Sequence, residues 1–323
     1  MIKSDILFQY IKIIIMCKDT ISTFELMQKF PDANSAREYI EFRRWGNSPT
    51  CPACGNDKNI TARKGKRLGY FLCRDCKKEF TVRTGTIFQR SHIPLHKWLY
   101  AIYMVVTSRK GISSLQLSKE IGVTQKSAWF LLQRIREACS IDNNILSGIV
   151  EADETYIGGK EKNKHASKKV KGTQGRSTKT KTAVVGIKQR NGDVIAKSFD
   201  TVNSSAIQNY LDSNVAHGSI LATDEARAYK PVVGYRKVMV NHSVGEFVNG
   251  MASTNGIESV WAVLKRGYYG TFHHFSKKHI DRYINEFTFR LNQGNVKIHT
   301  MNRINSLLFS SFGKTLKYSD LIR

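Results

Sequence analysis

The chain has 323 residues, which is enough for two or three domains that each bury a core. Hydrophobic residues make up 41% of it and aromatic residues 10%, which excludes a disordered protein. Lysine and arginine number 51 against 26 acidic residues, giving a formal net charge of +25. Such a field attracts polyanions, and nucleic acid is the partner it favours most, although other basic proteins and binders of acidic membranes share it.

No segment has the pattern of a secretory signal or a membrane span. The apolar run at residues 11–16 is only a few residues long and contains Lys12. Four of the six cysteines form two C-x-x-C pairs, which favours metal binding in a reducing compartment over disulfides. We therefore expect no membrane partner.

Residues 1–48 predict an N-terminal helical segment. An amphipathic stretch covers residues 23–30, and Ser35 is a candidate N-cap for a second helix that ends at Trp45. The apolar positions of both helices are most simply a small core, so we assign them no chemistry.

Residues 49–85 predict a zinc ribbon. Two cysteine pairs are separated by eighteen residues, and the intervening segment reads as a hairpin with Gly65 in its turn. Thiolates suit a tetrahedral Zn²⁺, which we expect to be structural because so few apolar residues surround it. Basic residues flank both pairs and could also contact phosphates. The predicted zinc ligands are Cys51, Cys54, Cys73 and Cys76.

Residues 86–140 predict a helical segment that resembles a helix-turn-helix. One helix precedes a turn at Gly122, and a second begins after Thr124 as its cap. The second helix would offer Gln125, Lys126 and Ser127 to a DNA groove. Many helical hairpins bind nothing, so this interpretation draws on the neighbouring ribbon and the net charge.

A strand is predicted at the start of the next domain, residues 146–295. The sequence from Ile149 to Gly159 leads from apolar residues into an acid cluster that contains Asp153. Residues 158–181 follow with nine basic residues against one glutamate, too few apolar residues to form a core. This run is either a solvated loop or a clamp on the DNA backbone. The candidate phosphate contacts within it are Lys162, Lys164, Lys168 and Lys169.

Two later carboxylates complete the acid set. Asp224 ends a β-like run, and Glu258 lies in a predicted helix with Trp261 and Lys265 on the same face. A surface Glu and Lys on an amphipathic helix would have the same spacing. Only the two upstream aspartates favour a metal site here. Arg266 is a further candidate DNA contact.

The order of strands and helices predicts a ribonuclease-H-like α/β core in which these acids meet at one edge. Asp153, Asp224 and Glu258 would then hold two Mg²⁺ ions, or Mn²⁺, because hard cations prefer oxygen ligands. The whole chain is thus expected to be a multidomain α+β protein, with N-terminal helices and zinc ribbon, a helix-turn-helix-like segment and this C-terminal domain.

Three motifs resemble a bacterial insertion-sequence DDE transposase family of the ISXO type, in which a zinc ribbon precedes a ribonuclease-H-like catalytic domain. They are V-E-A-D-E-T-Y-I-G-G, T-D-E-A-R-A-Y and T-N-G-I-E-S-V-W-A-V-L-K-R-G, and the resemblance extends over about residues 39–292. It implies that Asp153, Asp224 and Glu258 are catalytic ligands of magnesium, assisted by Lys265. The tail, residues 296–323, receives no function from it.

The resemblance implies an insertion-sequence transposase that binds element ends and catalyses metal-dependent nicking and strand transfer. Its partners would be double-stranded DNA, as terminal inverted repeats and as target, and it would act as a homodimer or higher assembly. A bacterial cytoplasmic, nucleoid-associated location would follow. Three alternatives stay open: a DNA-binding regulator or inactive transposase, a nuclease without strand transfer, and a scaffold whose ribbon docks proteins.

Overall fold

The computed structural model describes residues 20–140, 145–159, 165–170, 179–224, 227–239, 248–249 and 252–322. The chain divides into two compact units. The first combines residues up to Arg109 with Ser114–Cys139 and Gln293–Arg323, and the second combines Lys110–Ser113 with Ser140–Asn292. Within the described ranges, no helix is long and apolar enough to cross a bilayer.

The first unit contains seven of the described helices and a small antiparallel sheet in the order β1-β2-β3. The sheet supports the cysteine pairs, and a stacked Phe71–Phe80 pair with Trp45 at their edges fills the space beneath it. The elements are α1 (Thr23–Lys29), α2 (Ala33–Trp45), β1 (Ile60–Ala62), β2 (Tyr70–Cys73), β3 (Glu79–Thr81), α3 (Leu95–Thr107), α4 (Ser114–Ile121), α5 (Gln125–Ala138), α9 (Thr300–Ser311) and α10 (Tyr318–Ile322).

Helix α2 begins earlier than the sequence analysis expected. Asp32, not Ser35, is the N-cap, and its Oδ1 accepts the N–H groups of Asn34 and Ser35 at 2.9 and 2.8 Å. Ser35 Oγ accepts the Asp32 N–H in return, which completes a capping box. The prediction of Ser35 as the cap was wrong because Asp32 caps the amides of the first turn, so the helix starts at Ala33 and Ser35 lies inside it.

The predicted helix-turn-helix-like pair is present as α4 and α5. Gly122 has a φ of +63° in the turn, a conformation that favours glycine. Thr124 Oγ1 accepts the Ser127 N–H at 3.2 Å and caps α5 as expected.

The C-terminal tail belongs to the first unit. Arg303 is 1% exposed in α9 and donates to the Val106 carbonyl oxygen at 2.7 Å. Arg134 of α5 donates to the Leu316 carbonyl at 3.2 Å, and the Phe130 and Tyr318 rings lie 5.4 Å apart. The tail therefore completes the core around the helix-turn-helix-like pair, a role that the sequence did not reveal. The finer boundaries predicted within this unit stay predictions.

The second unit is built on a five-stranded sheet in the order β6-β5-β4-β7-β8. The first strand in sequence, β4, lies at its centre, antiparallel to β5 and parallel to β7. Asn191, followed by Gly192, turns the β5–β6 hairpin with a φ of +59°, a conformation typical of Asn-Gly turns. The elements are β4 (Ile149–Ile157), β5 (Thr182–Gln189), β6 (Val194–Phe199), α6 (Ser204–Asn214), β7 (Ile220–Thr223), β8 (Arg236–Met239), β9 (Val248–Asn249), β10 (Ala252–Ser253), α7 (Asn255–Gly267) and α8 (Ile280–Leu291).

Two separate cores cover the faces of this sheet. Val150 and Ala152 of β4 pack in a core with α6, whereas Ile157 packs in the core that includes α7 and α8. Successive side chains of a strand point to opposite faces, so Glu151, Asp153 and Ile157 share the α7 face. The mixed sheet covered by helices confirms the predicted α/β architecture.

Candidate active site

A cleft of about 480 Å³ in the second unit collects the acids that the sequence singled out. Parallel pairing of β4 with β7 ends at Ala152 and Thr223, so Asp153 and Asp224 each follow the last paired position and lie side by side. The predicted residues Asp153, Asp224, Glu258 and Lys265 all line this cleft, together with Glu154, Thr155, Thr254, Trp261 and Ala262.

Helix α7 provides one wall of the cleft. Glu258, Trp261 and Lys265 lie at i, i+3 and i+7 and all reach the cleft, as the helical spacing predicted. Trp261 is 4% exposed, and its Nε1 donates a hydrogen bond to Asp153 Oδ2 at 3.0 Å. The backbone N–H of Glu154 donates to Asp153 Oδ1 at 2.8 Å, so both oxygens of Asp153 are oriented.

The closest acid group differs from the predicted trio. Asp153, Glu154 and Asp224 each offer a carboxylate oxygen within 4.8 Å of the others, and Glu258 is not part of this group. The Thr254 hydroxyl donates to Glu258 Oε1 at 3.0 Å and holds that carboxylate near the start of α7. Glu154 was missed because strand alternation alone assigns it to the opposite face of β4 from Asp153. Its place directly after Asp153 in the acid cluster, beyond the pairing with β7, was the available signal.

Burial and the neighbouring charges act strongly on Asp153. Desolvation, followed by the negative charges of Glu154 and Asp224, raises the pKa of Asp153 to about 7. Tyr229 lies behind the acids, and its burial and their charges raise its pKa well above the ordinary value. Repulsion among acids at this distance would be relieved by a bound cation.

These side chains fit a hard divalent cation. The donors are carboxylate oxygens in a partly open cleft, which is the ligand type that Mg²⁺ and Mn²⁺ prefer. The pKa of Asp153 is raised by burial and then by the negative charges of Glu154 and Asp224, which a bound cation would offset. Asp153, Glu154 and Asp224 could therefore hold one ion together, with Glu258 on the facing wall available to a second.

The four predicted zinc ligands of the first unit come together. Their sulfur atoms all lie within 4.8 Å of one another, with 3.6 Å between Cys51 and Cys76 and 3.6 Å between Cys54 and Cys73. A tetrahedral zinc with bonds near 2.3 Å would separate its sulfurs by about 3.8 Å, so the group fits the ion. Burial alone would raise the pKa of Cys51, but the N–H groups of Ala53 and Cys54 donate to its sulfur and lower it to about 7.

The predicted DNA contacts have different surroundings. Gln125 and Lys126 are exposed at the start of α5 and Ser127 is half-buried, while Lys126 also lies 5.0 Å from the Tyr318 ring centre. Arg266 is exposed in the last turn of α7, and Lys169 is exposed after a short 3₁₀ turn. Of the others, Lys162 and Lys164 lie outside the described residues, as does the side chain of Lys168.

Comparison with known proteins identifies the class of domain. Residues 145–292 match the family model of the ISXO2-like transposase domain, and residues 31–79 match that of the transposase zinc-ribbon domain. A protein of Halobacterium salinarum, described as an uncharacterized protein in transposable element ISH50, is 30% identical over 274 residues. This alignment covers 82% of the chain and 92% of that relative. The chain belongs to the ISXO2-like transposase family, which confirms the resemblance drawn from its three acidic motifs.

Solved structures give only distant similarities. A chain of the simian T-cell lymphotropic virus intasome in complex with PP2A regulatory subunit B56 gamma is 14% identical, with a TM-score of 0.27 over 58% of this chain and 65% of that one. The chain thus spans slightly less than two thirds of that protein. The Mos1 strand transfer complex is also 14% identical, with a TM-score of 0.27 over 67% of this chain and 78% of that one.

Proposed function

We propose that this transposase nicks DNA at the ends of its element and joins the freed ends to target DNA. The single observation that carries the proposal is the cleft in which Asp153, Asp224, Glu258 and Lys265 meet, although they come from a strand, a strand end and a helix. Membership of a transposase family supplies the reaction class. Carboxylates that can bind metal ions, beside a positively charged side chain such as Lys265, are the groups that phosphoryl transfer requires.

Asp153, Asp224 and Glu258 would hold the divalent ions, with Glu154 as an additional ligand of the first. Bound there, two Mg²⁺ or Mn²⁺ ions supply stabilisation of the attacking and the leaving oxygen of an in-line displacement. The same site could serve hydrolysis by water and then attack by a 3′-OH, because both reactions displace an oxygen from a phosphodiester. Neither step needs a side-chain nucleophile.

The protein's own groups bind and orient. The Trp261 N–H holds one oxygen of Asp153, and the backbone N–H of Glu154 holds the other. The hydroxyl of Thr254 orients Glu258. Lys265 is exposed at the cleft and would bind a phosphate oxygen near the scissile bond as a point charge.

Recognition of double-stranded DNA would fall to the first unit. The zinc ribbon held by four cysteines and the start of α5, with Gln125, Lys126 and Ser127, would contact the terminal inverted repeats. Backbone contacts from Arg266, from Lys169 and from Lys162, Lys164 and Lys168 would hold the cut end and the target. Two ends must meet for transposition, so the active form would be a homodimer or a higher assembly in the bacterial nucleoid.

The test uses the purified chain and DNA carrying the element's own ends. Native protein is expected to nick and join these ends with Mg²⁺ or Mn²⁺, and Asp153→Ala, Asp224→Ala and Glu258→Ala should each lose both steps by at least a thousandfold. Asp212→Asn, on α6 in the same unit, is the matched control because Asp212 lies outside the cleft and pairs with Tyr235. DNA binding without cleavage by the native chain would point instead to a regulator or an inactive copy. Nicking without joining would point to a nuclease.

A further inference from the structure

Glu151 is a buried acid in the second unit that the proposed chemistry does not use. It is 4% exposed as the third residue of β4, two residues before Asp153 and on the same face of the strand. A carboxylate so removed from water is costly unless hydrogen bonds and a countercharge surround it. Its partners therefore indicate what it does.

The first partner of Glu151 is the start of helix α7. Thr254 occupies the N-cap position, but its side chain makes no capping hydrogen bond; its hydroxyl donates to Glu258. Glu151 Oε2 accepts the N–H of Ile257, the third residue of the helix, at 2.9 Å. That amide is one which an N-cap side chain would ordinarily satisfy. The strand thus caps the helix in place of the local sequence, with a negative charge at the positive end of the helix dipole.

The second partner is Arg190, directly after β5. Its Nη2 lies 3.4 Å from Glu151 Oε1 and 3.4 Å from the carbonyl oxygen of Ser253. The guanidinium balances the buried charge and also binds the backbone that leads into α7. Glu151 and Arg190 together therefore fix both the first turn of the helix and its entry.

The capping contact and the Trp261–Asp153 hydrogen bond hold α7 against β4 at two points. Ile257 and Trp261 are four residues apart, which is about 6 Å along a helix. Glu151 and Asp153 are two residues apart, which is about 6.6 Å along a strand. The spacings match, and Glu258 lies between the two contact points.

Close packing at Gly256 makes this arrangement intolerant of change. A Cβ at Gly256 would lie 2.5 Å from Glu151 Oε2 and 3.0 Å from Glu151 Cδ. Only a residue without a side chain lets the first turn of α7 approach the carboxylate this closely.

We propose that Glu151 is a positioning residue of the active site: it caps α7 from the sheet and sets the place of Glu258 opposite Asp153. The inference rests on the proposed function, since it concerns the same metal-binding cleft. It assigns to Glu151 no contact with the metal or with DNA.

Three variants separate positioning from charge. Glu151→Ala removes the cap, whereas Glu151→Gln keeps an acceptor oxygen and loses the ion pair with Arg190. Gly256→Ala keeps every charge and displaces the carboxylate. Glu286→Gln is the control, because Glu286 is also a fully buried acid of this unit paired with an arginine, Arg290, but on α8.

The readouts are Mn²⁺ affinity of the zinc-loaded full chain, measured from the paramagnetic resonance of free Mn²⁺, and hydrogen exchange at the start of α7. We expect Glu151→Ala and Gly256→Ala to weaken Mn²⁺ binding at least tenfold and to speed exchange of the Ile257 amide at least tenfold. For Glu151→Gln, both the Mn²⁺ affinity and the exchange rate should lie between those of these two variants and those of the native chain. For Glu286→Gln, both should stay within twofold of the native values.

Unchanged Mn²⁺ affinity in Glu151→Ala or Gly256→Ala, beside tight binding by the native chain, would overturn the positioning role and leave the proposed function intact. A fall of equal size in Glu286→Gln would also overturn it, because the effect would then be general destabilisation. A native chain that binds no Mn²⁺, or an Asp153→Ala variant that binds it as tightly, would remove the proposed function and the inference together.

Discussion

The indole N–H of Trp261 donates to Asp153 Oδ2 at 3.0 Å, joining the helix that carries Glu258 to the strand that carries the first aspartate. The indole ring is 4% exposed and packs against Gly186 of β5, which is paired with Asp153 in the sheet. One helix side chain, held against the backbone of β5, thus orients a carboxylate of β4. Local pre-organisation of this kind is what a metal-dependent site requires.

Replacing Trp261 with phenylalanine tests the hydrogen bond. Trp261→Phe keeps an aromatic ring but removes the donor to Asp153 Oδ2, so we expect a loss of about 2 kcal/mol in the stability of the second unit. Mn²⁺ affinity should fall about tenfold because only the Glu154 N–H then orients the carboxylate. Trp98→Phe is a matched control, since Trp98 is equally buried and donates to Ser91 in the first unit. Equal Mn²⁺ affinity in both variants would contradict a role for Trp261 in orienting Asp153.

Substitution of Gly186 tests the packing beneath the same ring. A Cβ at Gly186 would lie 2.5 Å from Cη2 of Trp261, so Gly186→Ala should overpack the core and cost about 1–3 kcal/mol of stability. Gly159→Ala should cost less than about 0.5 kcal/mol, since nothing lies within 4 Å of a Cβ there. Urea unfolding of the two variants measures the difference. Equal midpoints would mean that Trp261 can move aside freely.

The zinc ribbon is tested by removing one ligand. Cys73 is fully buried among the four sulfurs, so Cys73→Ser should abolish stoichiometric zinc binding and unfold the ribbon. Cys139→Ser changes a buried thiol outside the group and should retain one zinc per chain. Elemental analysis and the affinity for terminal-repeat DNA are the measurements. Full zinc content in Cys73→Ser would show that the four cysteines do not share an ion.

The raised pKa of Asp153 predicts how stability depends on pH. In the folded, Mg²⁺-free chain the pKa is about 7, against an ordinary value of 3.8, so the folded state binds a proton more tightly than the unfolded state between these values. The stability of the second unit without Mg²⁺ should therefore fall as pH rises from about 4 to 7 and then level off. Asp153→Asn should flatten this slope. Hydrogen exchange of β4 measured across this range would contradict the account if the native chain and the variant had the same slope.

Much of the site could be predicted from the sequence because its motifs follow local rules. The pattern of apolar residues before Asp153 and Asp224 indicated the two strands that position them, although β4 continues past Asp153 to Ile157. The helical spacing of Glu258, Trp261 and Lys265 indicated one face. Both relations depend only on residues near each other in the chain.

The rest depends on contacts between residues far apart in the chain. The cap that Glu151 provides to Ile257 joins positions 106 residues apart, and the hydrogen bond from Trp261 to Asp153 joins positions 108 residues apart. Arg303 was missed for the same reason, since its partner Val106 lies 197 residues away. Periodicity within a single segment contains no information about such pairs.

The most direct test of the central claim, that Asp153 binds the catalytic metal, is strand transfer by Asp153→Cys in Mg²⁺ and in Mn²⁺. A thiolate is a poor ligand for Mg²⁺ and a better one for softer ions. We expect activity in Mg²⁺ to fall at least a thousandfold and activity in Mn²⁺ to recover at least tenfold from that level. Asp153→Ala should stay inactive in both. Mg²⁺ activity close to native in Asp153→Cys, or recovery in Mn²⁺ by Asp153→Ala, would contradict the account.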